Sequence, residues 1–123
     1  MGRTIDLSHS LLGLGRDGRA TLVAWKSGPP PRIDGLTIGA PMLTRNPPHA
    51  GEMHPDADEV LFLISGRIDV VLEEDGAENI IEVAPGQALV VPKGVWHRVV
   101  LREPSQLLHI TPGPGGEWRP LRQ

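Results

Sequence analysis

Short aliphatic runs recur along the chain, most of them alternating apolar and polar residues, and Gly or Pro closes nearly every one. A period of two marks a strand with one face buried. No window repeats apolar residues at i, i+3, i+4 and i+7, so little helix is expected. Strands are predicted at 20–26 (ATLVAWK), 36–43 (LTIGAPML), 58–65 (DEVLFLIS), 67–74 (RIDVVLEE), 78–84 (ENIIEVA), 87–92 (QALVVP), 95–101 (VWHRVVL) and 106–111 (QLLHIT). The second of these should bend at Gly39–Pro41. Residues 52–54 (EMH) read as the end of one further strand. Asp75–Gly76 is a hairpin signal, and Gly66, Pro85–Gly86 and Lys93–Gly94 are turn signals. Residues 4–12 fit either a first strand or a short helical turn. Residues 13–19, 27–35 and 44–51 read as loops, the second stiffened by Pro29–Pro31. The tail, 112–123, holds too much Gly and Pro for a regular element. Eight or more antiparallel strands must close or stack to hide their edges, which predicts an all-β barrel or sandwich.

Composition sharpens this picture at a few points. A chain of 123 residues suits one domain with one core. With three Trp, one Phe and no Tyr, that core must be built from Val, Leu and Ile, which suits strands. The net charge of −3 and the lack of a basic run argue against a nucleic-acid partner. No apolar stretch spans a bilayer, and the N-terminus lacks a signal-peptide core, so a cytoplasmic location is expected. The absence of Cys excludes disulfides, thiolate ligation and a Cys nucleophile together. The GLG at 13–15 is too short for a phosphate loop and reads as a plain turn.

The candidate chemistry lies in two stretches, GEMHPDADEVLFLISG (51–66) and GQALVVPKGVWH (86–97). Strand residues two apart share a face, so Glu52 and His54 project together with Cα atoms about 6–7 Å apart. Glu59, Leu61 and Leu63 share a face, as do His97, Val99 and Leu101. A titratable group heads each set and apolar residues follow. Such a set fits a barrel with a polar site at one mouth and a filled interior. Two imidazoles and two carboxylates suit Fe, Mn, Ni, Cu or Zn. A lone His or Glu on a strand is usually a surface residue, and Glu52 could equally be a neighbouring acid or a solvated edge residue. His49, in its Pro-Pro loop, reads as a residue of the mouth or surface. His109 reads as a packed or strand-face residue that could enter the pocket. Trp96 should point away from His97, outside the barrel or into a dimer contact. Asp56 and Asp58 read as a solvated loop.

The two stretches resemble the motifs of the cupin family, small jelly-roll β-barrels. In the first motif a His-x-His precedes a Glu by three or four residues, and Gly follows the Glu after six more. Here His54, Glu59 and Gly66 keep that spacing. In the second, Gly86, Pro92, Gly94 and His97 all fall in place. The resemblance covers about residues 40–111, with residues 1–39 as N-terminal strands and loops. Glu52 stands where the family has its first His, and Leu101 where it has Asn, which should make the pocket floor apolar. The resemblance implies a single cupin jelly-roll barrel holding one divalent transition metal on Glu52, His54, Glu59 and His97, with Glu52 also a candidate general base. It further implies a small-molecule substrate or ligand and a homodimer. Two functions fit: a metal-dependent dioxygenase, isomerase or lyase, or a non-catalytic sensor or storage module. A sugar-phosphate isomerase would want a phosphate-binding cluster, and none is evident.

Overall fold

The structure is a computed structural model that describes residues 1–121. Among these residues the chain forms β1 (Leu11–Gly15), β2 (Ala20–Val23), β3 (Gly35–Gly39), β4 (Met42–Leu43), β5 (Gly51–Met53) and β6 (Glu59–Ser65). They are followed by β7 (Ile68–Glu74), β8 (Ala77–Val83), β9 (Ala88–Val91), β10 (Trp96–Leu101), β11 (Ser105–Gly113) and β12 (Glu117–Arg119). No helix is present among the described residues. The strands form two antiparallel sheets. The larger runs β2-β1-β3-β11-β6-β9, with β4 also beside β11; the smaller runs β12-β5-β10-β7-β8. This is the all-β jelly-roll arrangement.

Period-two patterning sets what each sheet buries. Leu61 and Leu63 of β6 meet Ile68, Val70 and Leu72 of β7 in one core cluster, joined by Val83, Val91 and Leu107. Burying each such side chain contributes about 1.5–3 kcal/mol. The strand β7 lies between β10 and β8 and is buried on both faces. Its outward Asp69 is buried under Arg102, whose Nε donates to Oδ2 at 2.7 Å.

Two turns show why their residues are needed. Asp75 (φ 52°) and Gly76 (φ 75°) are both left-handed, the backbone of a type I′ turn that matches the twist of β7 and β8. Gly66 (φ 96°) joins β6 to β7, and a Cβ there would lie 2.1 Å from Ser105 Oγ and 2.6 Å from the Pro104 carbonyl oxygen.

Several segments depart from the sequence expectation. The N-terminal stretch 4–12 combines both alternatives: the Asp6 carbonyl accepts the His9 N–H at 3.2 Å and the Ser10 N–H at 2.8 Å, a single helical turn, and a strand follows. Asp6 caps a tight turn by accepting from the Ser8 N–H, and β1 begins only at Leu11. The expected loop 13–19 shrinks because Gly13–Gly15 pair with β3 on one side and β2 on the other. The tail is the main correction. The strand β11 continues to Gly113, and β12 pairs with β5, placing Trp118 opposite Glu52. Gly and Pro did not prevent a strand there, because β12 is a short edge strand that needs few ladder bonds. Arg119 secures it by stacking on Trp96, 3.8 Å from the ring centroid, and by pairing with Glu73 at 2.7 Å.

A Gly66→Ala substitution should destabilise the fold by about 3 kcal/mol in urea unfolding, since it combines a strained φ with a clash against backbone. A loss below about 0.5 kcal/mol would contradict the close packing of this turn against Ser105.

Candidate metal centre

Both sheets contribute to the mouth of the barrel. In the smaller sheet Glu52 of β5 stands directly opposite His97 of β10, so their side chains share one face. His54 follows β5 immediately, and its carbonyl accepts the Gly94 N–H at 2.9 Å, tying it to the turn that leads into β10. Glu59 opens β6 in the larger sheet. The four side chains converge. His97 Nε2 lies 2.8 Å from Glu59 Oε1 and 3.6 Å from Glu52 Oε1, while His54 Nε2 lies 3.3 Å from Glu59 Oε2 and 3.7 Å from Glu52 Oε1. One donor atom from each residue fits within a 4.8 Å spread. His54, Glu59 and His97 are buried, whereas the Glu52 side chain is 24% exposed and marks the open side.

A second layer of contacts fixes these groups. The His97 Nδ1–H donates to the Val95 carbonyl at 3.1 Å, which turns Nε2 toward the carboxylates. The Thr111 hydroxyl donates to Glu59 Oε2 at 2.6 Å and in turn accepts from His109 Nδ1 at 2.9 Å. The tail forms a wall: a Cβ on Gly116 would lie only 3.2 Å from His54 Nδ1. At the rim, His49 Nδ1 accepts the Gly51 N–H at 3.1 Å, and its Nε2 sits 3.8 Å from Glu52 Oε2.

The electrostatics follow from opposite charges in a dry site. Burial works against charge on every member, but the opposite charges set against one another at these short separations outweigh it. His54 is raised to about 9 and His97 to about 10, in each case by Glu52 and Glu59 against the burial penalty. Glu59 is lowered to about 2 against its own burial by His54 and His97, and Glu52 is lowered in the same way. His109 goes the other way, to about 4, because burial and then the nearby Arg32 charge disfavour the imidazolium. A neutral His109 with its proton on Nδ1 is what the bond to Thr111 requires.

The set fits a metal ion. Two donors each about 2.1 Å from one ion are about 3 Å apart when adjacent and about 4.2 Å when opposite, close to the imidazole–carboxylate separations of 2.8 to 3.7 Å here. Both ring nitrogens of His54 are buried and have no hydrogen-bond partner. A buried polar group normally has a hydrogen-bond partner, and a deprotonated His54 Nε2 beside two carboxylates and a second imidazole would find one in a cation.

All four residues singled out from spacing come together, and His49 lies at the rim. Trp96 faces away, under Arg119. Leu101 packs against the core cluster. Asp56 and Asp58 are exposed but are not merely solvated: they accept the Gly115 N–H at 2.7 Å and the Lys93 N–H at 2.8 Å. Thr111, Arg32 and Gly116 were not anticipated. Thr111 had a signal, since it lies two residues from His109 on one strand and so shares its face.

This β-barrel gathers two imidazoles and two carboxylates from facing sheets at one mouth, a set that could hold a metal ion. The chain belongs to the cupin family, since the cupin domain model matches residues 44–111. A search of curated proteins found no relative by sequence. Among solved structures the chain is similar to a cupin-2 domain protein from Shewanella frigidimarina, with 20% identity and a TM-score of 0.55 over 72% of this chain and 85% of that one. It is also similar to oxalate decarboxylase from Bacillus subtilis, a protein with Mn(II) centres, at 20% identity and a TM-score of 0.56 over 68% of this chain. Fe(II)-HppE matches at 15% identity and a TM-score of 0.50 over 62% of this chain. The chain spans only 23% of the oxalate decarboxylase chain and 42% of the HppE chain.

The shifts set a pH window for the metal-free fold. The two histidines, raised from 6.5, stabilise it fully below about pH 6.5, and that support fades as pH rises through 9 to 10. Glu59, lowered from 4.5, contributes fully above about pH 4.5 and loses its contribution as pH falls toward 2. Urea midpoints in chelator should therefore be highest near pH 4.5–6.5. In His97→Gln the decline above pH 7 should flatten; an unchanged alkaline decline would contradict the shifts.

Proposed function

We propose that Glu52, His54, Glu59 and His97 hold one divalent transition-metal ion, and that the protein is a metal-dependent enzyme acting on a small organic molecule. The observation that carries this is His54, whose buried ring nitrogens have no partner among two carboxylates and a second imidazole. Bound there, an ion would act as Lewis acid and template for substrate oxygens. The protein's own groups divide the remaining work. Glu59 is held by Thr111 and His97 and is the fixed carboxylate. Glu52, the most accessible of the four, can accept a proton from a molecule entering the mouth. The reaction type is the dioxygenase, isomerase or lyase chemistry of the family.

Glu52 in place of a third imidazole gives the set two negative charges, which formally neutralise a divalent ion. Carboxylate is a harder ligand than imidazole, so Mn²⁺ and Fe²⁺ are favoured relative to softer ions.

We also propose a homodimer. The N-terminal strands β1 and β2 pair within the chain as part of the larger sheet, and the outer face of that sheet carries the surplus apolar surface, Leu22 of β2 included. There Phe62, Ile64, Val90, Leu108 and Ile110 point away from the core by strand parity, with Ile64 41% and Val90 53% exposed. A second copy would cover this face.

Metal titrations of three proteins test the centre. Glu52→Gln should weaken Mn²⁺ binding by about tenfold or more, and Glu52→His should shift preference toward Zn²⁺ or Ni²⁺. Equal affinities and equal preferences in all three would remove Glu52 from the ligand set. For the dimer, sedimentation should give two copies for the wild type and one for Ile64→Lys; a wild-type monomer at all concentrations would rule the dimer out.

A further inference from the structure

The connection between β2 and β3 carries Pro29–Pro31 and then Arg32 and Ile33. It lies against the inner face of the larger sheet where that face is bare. A Cβ on Gly13 would sit 2.8 Å from Ile33 Cδ1. A Cβ on Gly113 would sit 2.5 Å from the Ile33 carbonyl oxygen and 3.0 Å from Arg32 Cβ. Both glycines share a face with Thr37 and Thr111, which face the barrel interior. Side chains at these positions would push the connection off the sheet, so glycine admits it and proline stiffens it.

The consequence is a half-buried guanidinium with one nitrogen fully enclosed. Arg32 Nη1 is sealed from solvent and has no hydrogen-bond partner among the described residues. The carboxylates of Glu52 and Glu59 are near enough to support the charge against the burial that opposes it. They are nevertheless engaged elsewhere, Glu59 by His97 and Thr111, and Glu52 among His49, His54 and His97. A divalent ion, two carboxylates and two neutral imidazoles sum to zero, and Arg32 then leaves one positive charge over. An enclosed guanidinium nitrogen without a partner is costly, since burial opposes the charge it carries. The site is therefore short of one anion. One planar fork carrying one charge matches a carboxylate, which can accept two parallel N–H bonds. A phosphate dianion would leave an unmatched negative charge. Entry is open on the side of Glu52 and His49, whose side chains are 24% and 17% exposed.

We propose that Arg32 is the docking group for a carboxylate of the substrate, so that this centre takes small organic carboxylates rather than neutral molecules. The inference rests on the metal-binding reading above, because the charge count that leaves Arg32 over is taken with the ion bound.

Calorimetric titration of the Mn²⁺-loaded protein with glycolate, with its neutral amide glycolamide, and with inorganic phosphate tests it. Metal content is measured on every sample. Glycolate should bind at least about tenfold more tightly than glycolamide, as expected for a charge-assisted hydrogen bond. Arg32→Gln should remove that advantage while keeping one Mn²⁺ per chain and leaving glycolamide binding unchanged. Arg32→Met, which keeps the apolar stem, provides the same comparison if the Gln variant does not fold. Equal glycolate affinity in loaded wild type and variant overturns the inference alone, as does phosphate binding more tightly than glycolate. A wild type that takes up no Mn²⁺ overturns both the inference and the metal-binding reading.

Discussion

Two carboxylates and two imidazoles held a few ångströms apart in a dry barrel mouth are the constraint on which the site's architecture depends. Without a metal ion the group can exist only as an interlocked set of opposite charges, because each member alone would be expelled or neutralised by burial. The set must also come from both sheets. Glu59 is carried by the larger sheet, Glu52 and His97 by the smaller, and His54 by the link between them. The sandwich therefore has to close at this end with little tolerance. The short ties around the mouth do that: Gly94 to the His54 carbonyl, Lys93 to Asp58, Gly115 to Asp56.

The far end of the barrel has the opposite character. Leu63, Ile68 and Val70 fill it completely, and Leu101 adds to it where other members of the family would place a polar group. Any molecule that enters therefore meets polar chemistry near the mouth and hydrocarbon below. Polar groups near the mouth are organised in a gradient. Glu59 is anchored through Thr111 to a neutral His109, His97 is anchored to a backbone carbonyl, and Glu52 is left the most accessible. Rigid groups inside and an adaptable carboxylate outside would suit the proposed centre, which would have to keep an ion while exchanging other ligands.

Much of this was legible in the sequence because it depends on local rules. Strand parity alone put Glu52 with His54 and Glu59 with Leu61 and Leu63, and turn chemistry located Gly66 and Asp75–Gly76. What stayed hidden depends on the path of the chain through space. Nothing local to PGPGGEWR says that it will find the edge of β5, or that Gly116 will lie against His54. Arg32 is hidden for the same reason. In sequence it ends a proline-rich connector, and only the bare faces at Gly13 and Gly113 show that the connector turns inward. The N-terminal strands differ at their limits because glycines at 13 and 15 look like a turn, although Gly13 is paired on both sides and Gly15 with β3, so they serve as strand.

In the proposed metal centre the two imidazoles of the cluster would hold protons until an ion displaces them. Calorimetry of metal-stripped protein, purified without a His-tag and titrated with Mn²⁺ at pH 7 in buffers of different ionisation enthalpy, reads this directly. Because His54 and His97 are raised to about 9 and about 10, uptake should occur at one ion per chain and release two protons with each ion. No uptake, or uptake without proton release, would contradict it.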